Sequence, residues 1–367
     1  MKRDRSSQAT PSALLSLQRG LTGNRELAGS GYMDDPAYRA AYADYYRAVS
    51  MAQVARIFAV SGISPRSILD MGAGPGSVSL EALGSGAREF HLVDSSRAVL
   101  ELAGSSLKNM ADRLGTAVSV TLTASDLEAP GAYPARAFDL VAFGHCLNEI
   151  GAGADGVARR LAVVRRAASA IAPGGAALIL EPATLASSRD ALALRDALVA
   201  EGWRALSPCT APGPCPALTA GPSHTCHDES AWDVPPEVRR QAESAGLDRD
   251  LIKMTWFIVA PPPGIPSSPV LPPDDSSGYE EYRVVSMPML NKGGRVRYLL
   301  CGPGGRFPFS ARKDDEAARR AGFFSLGRYD LLRIENPEIR EGGWGFGPGT
   351  SIRRLGALAS AGGAVIV

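Results

Sequence analysis

Long apolar runs are what this sequence most plainly lacks. No stretch reaches the roughly 20 apolar residues that a membrane-spanning helix needs. The last apolar run, LGALASAGGAVIV, is short and Gly-rich. The first residues, MKRDRSSQATPSALL, are basic, but no apolar segment of signal-peptide length follows them. The expectation is a soluble, cytoplasmic protein with no membrane partner. Cysteine is also scarce. Five in 367 residues, without a secretion signal, argue against a disulfide scaffold and for buried thiols, metal ligands or chemistry. Excess charge is missing too: a formal net charge of +1 neither demands a nucleic-acid partner nor excludes one. The chain shows no internal repeat.

What is present is enough apolar content, 45%, to bury a sizeable core with a smaller lobe or insertions. Residues 1–33 are mixed polar and small, and read as a flexible N-terminal arm. Residues 34–65 are helical: Asp35 is placed to cap a helix opened by Pro36. Tyr38, Tyr42, Tyr45, Tyr46, Val49, Val54 and Ile57 then recur at helical spacings, as residues covering a sheet or forming a substrate-side lid. From Arg66, short apolar strands alternate with helices. The strands are Ser67–Asp70, Glu89–Val93, Ser119–Thr123, Phe138–Phe143 and Ala176–Glu181. Helices are expected near Ser77–Leu83, Arg97–Arg113, Ala154–Ile171 and Arg189–Glu201. Such βαβ units feed a mainly parallel sheet, so the fold is α/β, over residues 66–260.

Regularity fails over residues 204–234, which carry three cysteines and two histidines among Pro, Gly, Ser and Thr. A helix from Pro235 to Ala245 and an apolar strand, Ile252–Val259, resume the order. The Pro-rich tract 261–278 reads as a stiff linker. Residues 279–340 form a small strand-rich lobe, with strands at Arg283–Pro288, Gly294–Leu300 and Asp330–Ile334. Between Arg283 and Arg340 stand 12 Lys/Arg against 6 Asp/Glu, which is either a solvated face or a nucleic-acid surface. Residues 341–367 form a tail of uncertain structure.

The run Asp70-Met71-Gly72-Ala73-Gly74-Pro75-Gly76 falls where the first strand should turn into a helix. Glycines permit a tight turn and a close approach of backbone to ligand. The second strand ends at Asp94, whose carboxylate can accept hydrogen bonds from both ribose hydroxyls of a nucleoside. Asp126, after the third strand, is placed to reach an adenine amino group. His145-Cys146-Leu147-Asn148-Glu149 follows the fourth strand. An NAD site would want its third glycine one residue later and a pyrophosphate to bind.

These features, over residues 66–182, resemble the class I S-adenosylmethionine (SAM)-dependent methyltransferases. The resemblance implies a Rossmann-like sheet and SAM held by Asp70, Gly72, Gly74, Gly76, Asp94 and Asp126. The Asn/Asp-Pro-Pro-aromatic tetrad of many base N-methyltransferases is absent, with His-Cys-Leu-Asn-Glu in its place. Asn148 and Glu149 then contact substrate or line the methionine end of the pocket. Cys146 is a candidate nucleophile for attack on a pyrimidine, or simply a buried thiol. Methyl transfer by proximity alone needs no acid or base, so the residues leave catalysis open.

The other cysteines, Cys209, Cys215, Cys226 and Cys301, can complete a zinc site or ligate a four-iron cluster, or be unrelated thiols. His224 and His227 flank Cys226. The stretches PCTAPGPCP, HTCHDESAW and YLLCGPGG resemble a methyltransferase-like family that assists small ribosomal subunit assembly, known from mitochondria and bacteria. The likeness spans most of residues 35–335. It implies a cysteine-bearing insertion, a [4Fe–4S] cluster on Cys209, Cys215, Cys226 and Cys301, with zinc as the alternative, and the small subunit or its rRNA as partner rather than DNA. The main expectation is a SAM-binding, iron–sulfur-containing factor acting on the small subunit. The alternatives are an active SAM-dependent rRNA methyltransferase, and a small-molecule or protein methyltransferase with a structural zinc site. Arg295, Arg297, Arg312 and Lys313 are the candidate phosphate contacts.

Overall fold

The computed structural model describes residues 11–23, 25–28, 31–151, 153–262 and 280–355. Beyond its first two residues, the expected linker 261–278 lies outside the described residues.

Two sheets organise the described chain, each of eight strands. The first holds β1 (Ser67–Met71), β2 (Glu89–Asp94), β3 (Ser119–Ala124), β4 (Phe138–Gly144), β5 (Ile171–Pro182), β6 (Arg204–Ser207), β7 (Asp228–Ala231) and β8 (Leu251–Ala260). Its order is β3-β2-β1-β4-β5-β8-β6, with β7 also paired to β8. Strands β1 to β5 are parallel, and β8 runs antiparallel to β5. Every residue of β1 is buried, because helices cover both faces of such a sheet. Those helices are α3 (Arg47–Ser61), α4 (Ser77–Gly84), α5 (Arg97–Arg113), α6 (Gly153–Ala167) and α7 (Leu185–Ala200), following α1 (Pro11–Gln18) and α2 (Pro36–Ala41). Val54, Ile57, Ile68, Leu80, Leu92, Leu140 and Leu178 pack on one face, and Leu69, Val141, Phe143, Val164 and Ile179 on the other. Full burial of one such side chain is worth about 1.5–3 kcal/mol.

Asp35 caps α2, accepting hydrogen bonds from the N–H groups of Ala37 (2.7 Å) and Tyr38 (3.3 Å). Within the stretch expected as an arm, α1 is helical and packed. Leu14 and Leu17, three residues apart, share one helix face and are buried. Leu14 meets Tyr45, Val49 and Val238.

The second sheet comprises β9 (Glu281–Val284), β10 (Met289–Leu290), β11 (Arg295–Gly302), β12 (Gly305–Arg312), β13 (Leu331–Glu335), β14 (Glu338–Arg340), β15 (Gly343–Gly345) and β16 (Ser351–Leu355), in the order β14-β15-β12-β11-β9-β13-β16, with β10 on β11. Tyr298, Leu300, Phe309, Phe323 and Leu332 form its own core. Residues 343–355, expected as part of a tail, therefore extend this sheet.

The two sheets meet through apolar contacts, with Val285 and Tyr329 in the first sheet's core and Tyr329 edge-on to Trp256 at 5.9 Å between centroids, and through polar ones. The buried Arg283 donates Nε to Pro208 O (2.9 Å) and Nη1 to Tyr329 O (2.7 Å). Thr210 Oγ1 donates to Cys301 O (2.8 Å), Arg306 Nη1 to Thr225 O (3.2 Å) and Arg56 Nη2 to Arg328 O (3.0 Å). The segment 208–216 is in turn pinned to α7. Arg195 reaches Ala211 O (2.7 Å), and the Asp196 carboxylate accepts the Cys215 N–H. The irregular segment is thus held by arginines on carbonyl oxygens. Arg283→Ala should lower the unfolding free energy by about 3 kcal/mol, since two buried carbonyls lose a charged donor. Denaturant unfolding checks this, and an unchanged midpoint would show that the arginine does not join the sheets.

Candidate functional site

Strand order reverses between β1 and β4, and the crevice at the C-terminal ends of these strands is where open α/β sheets bind ligands. The glycine loop begins there. Gly72, Gly74 and Gly76 have φ of +67°, +51° and +81°, a region other residues rarely enter. At Gly72 there is also no room, because a Cβ would lie 2.4 Å from the Cβ of Cys146. The N–H groups of Gly72 and Ala73 donate to Val93 O at 2.8 and 3.0 Å, which clamps the loop to β2.

Asp94, at the end of β2, accepts from Gly74 N–H through Oδ2 (2.9 Å) and from Ser96 N–H through Oδ1 (2.9 Å). Each oxygen keeps a further lone pair. Burial raises its pKa, opposed by those N–H donors. Asp126 is exposed after β3, its Oδ1 holding Glu128 N–H at 2.7 Å. Asp70 is placed differently from the expected cofactor contact: it is buried, and Oδ2 accepts from both Ser79 N–H (3.2 Å) and Ser79 Oγ (2.6 Å). It ties β1 to α4 behind the loop. A short 3-10 turn, Tyr32–Asp34, lies over this region, with Asp34 accepting from Ser96 Oγ at 2.6 Å and Met33 nearest the open side of Gly74. The tight glycine loop, with its left-handed backbone, and the carboxylate at the end of β2 fit the nucleoside of SAM.

After β4 the chain turns at His145, which holds φ +60°. The Cys146 thiol donates to Met71 O (3.1 Å), and burial pushes its pKa well up. It fills the space behind Gly72, and a neutral thiol in that position is no nucleophile. Asn148 is fully engaged. Its N–H and Nδ2 donate to Glu181 at 3.1 and 2.5 Å, Nδ2 also donates to His145 O (3.0 Å), and Oδ1 accepts from Arg25 Nη1 (3.3 Å). Burial lifts Glu181 to about 8 against those hydrogen bonds. Glu149 accepts from Tyr32 OH at 3.2 Å. The buried Arg160 donates to the carbonyls of Leu147, Ile150 and Gly151, so the loop is rigid.

Next to this loop lies a cavity of about 240 Å³. Tyr32, Tyr42, Tyr46, Gln53, His145 and Glu149 are among its walls. Sequence reasoning singled out Tyr42, Tyr46, Asn148 and Glu149, and the stretch that begins with His145. Tyr32, Gln53, Arg249 and Lys253 were missed, since they come from separate parts of the chain.

Cys209, Cys215, Cys226 and Cys301 do line one cavity, of about 40 Å³, with Arg195, Arg283, Arg306 and Tyr329. The expected [4Fe–4S] cluster is nonetheless corrected, and so are the zinc alternative and the metal-binding assignment of these four residues. Among the described residues no group of three or more His, Cys, Asp or Glu is arranged to hold a metal ion. The cavity has room for a few waters at most. Burial, with repulsion between the thiols, pushes Cys209 and Cys301 up to about 12, so they stand neutral among three arginines. His227 pairs with Glu229 at 3.5 Å.

The family described as mitochondrial small ribosomal subunit Rsm22 matches residues 34–307. This chain belongs to that family. The Rsm22 match agrees with the resemblance read from the sequence, and the small ribosomal subunit stands in that family's description. It also corrects the cytoplasmic expectation, because the family is described as mitochondrial and a lack of long apolar runs says nothing about organelle. Among the described residues no helix is long and apolar enough to cross a membrane. Comparison with curated proteins gives no match.

Several solved structures are similar to part of this chain. An O-methyltransferase family protein from Burkholderia thailandensis is 20% identical, over 64% of this chain and 63% of that one, with a TM-score of 0.37. This chain thus spans just under two thirds of that protein's length. The N-methyltransferase NodS from Bradyrhizobium japonicum is 12% identical over 58% of this chain and 94% of its own, TM-score 0.36. A SAM-dependent methyltransferase from Thiobacillus denitrificans, in complex with S-adenosyl-L-homocysteine, is 15% identical over 57% and 91%, TM-score 0.34. These likenesses concern the fold alone.

Burial raises Asp70 from the usual 3.8 to about 7, against the Ser79 hydrogen bonds, while Oδ1 is buried without a partner. A raised carboxyl pKa stabilises the fold below pH 4 and loses that contribution as pH rises through 7. Asp70→Asn should therefore be more stable than the parent at pH 8, with the gain shrinking toward pH 5. Thermal unfolding across that range tests the sign, and a gain that grew on acidification would reverse it.

Proposed function

We propose that this chain binds SAM at the loop Gly72–Gly76 and Asp94, and methylates RNA of the small ribosomal subunit. The observation that carries the proposal is the placement of the site. A glycine loop and a strand-end carboxylate stand at the reversal of strand order, and a cavity opens beside them at the end of β4. Membership of the Rsm22 family supplies the partner. Bound SAM supplies an electrophilic methyl group. Asp94 would orient the ribose, the glycines would let the ligand approach the backbone closely, and the loop after β4 would set the acceptor's distance, so that transfer proceeds by proximity and orientation.

The second sheet supports the RNA half of this reading. Arg295 and Arg312 are directly opposite on β11 and β12, and Arg297 is opposite Ser310 on the same face. Like charges paired across strands are unfavourable by themselves, and phosphate relieves them. Lys313 follows directly after the end of β12 and is exposed.

The test uses labelled SAM with immature small subunits. Methyl incorporation is expected, abolished in Asp94→Ala, and reduced when Arg295, Arg297, Arg312 and Lys313 are neutralised. Subunit affinity should fall steeply with salt in the parent and less so in the neutralised variant. SAM binding with no incorporation would retain a SAM-binding assembly factor and reject the transferase. No SAM binding would reject both.

A further inference from the structure

The walls of the 240 Å³ cavity specify their occupant more closely, given the proposed methyltransferase reading on which this rests. Every charged side chain there already has a partner. Arg249 donates Nε to Tyr45 OH (2.6 Å) and Nη2 to Gln18 Oε1 (3.1 Å), and its guanidinium lies over the Tyr45 and Tyr46 rings at 5.4 and 5.8 Å. Lys253 Nζ pairs with Glu229 at 3.5 Å, and Glu149 with Tyr32 OH. An anionic group would have to break these pairings to be held. The remaining surface is uncharged and combines three tyrosines with the apolar Leu21, Val49, Pro182 and Ala183 and the polar Ser50 and Thr184. Tyr32, Tyr42 and Tyr46 form a wall, with the Tyr42 and Tyr46 centroids 5.2 Å apart and their planes at 36°. The volume falls below the ~300 Å³ at which pockets for drug-sized ligands begin, so it suits one small ring system.

His145 supplies the polar feature. Gln53 Nε2 donates to Lys253 O at 3.0 Å, which fixes that amide and turns its Oε1 to His145 Nε2 at 2.7 Å. Oε1 only accepts, so His145 carries its proton on Nε2 and leaves Nδ1 bare. Burial lowers the His145 pKa to about 4, which keeps the ring neutral. Its left-handed backbone, φ +60°, is a strained conformation for a residue other than glycine, of the kind found at functional sites.

We infer that this cavity is a nucleobase pocket: it takes an uncharged heteroaromatic ring turned out of an RNA strand, stacked on the tyrosine wall, with an N–H of the ring or its exocyclic amine donated to Nδ1 of His145. Enzymes that work on a base must first take it out of the stack. Here Gln53 and His145 occupy the role that the missing Asn/Asp-Pro-Pro-aromatic tetrad would otherwise fill.

The chain has only four histidines, so the His145 ring nitrogens can be followed by NMR on histidine-labelled protein. The probes are cytidine, uridine, 3-methyluridine (which lacks the N3–H) and inorganic phosphate, each titrated with and without saturating S-adenosyl-L-homocysteine. The free protein should show the Nε2–H tautomer. Cytidine and uridine should shift the Nδ1 resonance, whereas 3-methyluridine and phosphate should not. His145→Asn tolerates the left-handed backbone and should weaken nucleoside binding about tenfold, the loss of one hydrogen bond, with homocysteine-ligand affinity unchanged. Nδ1 unmoved by either nucleoside, a response to phosphate, or an Nδ1–H tautomer would each overturn the inference. Failure of the homocysteine ligand to bind would instead strike the proposed function, and the titration without it would still read the cavity.

Discussion

Everything at the candidate site depends on how closely the turn after β1 approaches the end of β4. Gly72 sits against Cys146 with no space for a Cβ, at a positive φ, and its N–H is hydrogen-bonded to Val93. That contact fixes three things together. It holds the loop's N–H groups on β2, brings Gly74 onto the Asp94 carboxylate, and sends the chain beyond Cys146 into the rigid loop that borders the cavity. A side chain at position 72 would push the loop off β4 and uncouple the nucleoside end of the crevice from the acceptor end. The buried thiol of Cys146 is thus a spacer, and Asp70 behind it is a brace.

The first sheet was legible because its central strands β1, β4 and β5 are largely buried and appear as short apolar runs between helices. SILD, EFHLV and FDLVAF needed no tertiary information to be read as strands. Strands β6 and β7 were not legible. Each is four residues long, lies among prolines and cysteines, and is stabilised by pairing with β8 rather than by its own pattern. The same holds for β14 to β16, whose half-exposed residues alternate weakly. Helix α1 was hidden by its Ser- and Gln-rich surface, although Leu14 and Leu17 mark the buried face.

At the site, the glycines and Asp94 could be read locally because a turn and a strand end are local features. The cavity could not. Tyr32, Gln53, His145 and Lys253 lie tens to hundreds of residues apart and are joined only by the fold. The cysteines illustrate the converse. Spacing and family resemblance brought Cys209, Cys215, Cys226 and Cys301 together correctly in space, and one cavity is lined by all four. What the sequence could not show is that arginines share that cavity and that the segment is already anchored by Arg195 and Arg283 through carbonyl hydrogen bonds. Proximity of thiols is not yet a ligand set.

The most direct test of the central claim is a crystal structure of the protein soaked with SAM. The account predicts adenosine over the loop Gly72–Gly76, its ribose on Asp94, and the methyl group directed at the cavity bordered by His145. SAM bound elsewhere, or bound at the loop with its methyl turned away from that cavity, would contradict it.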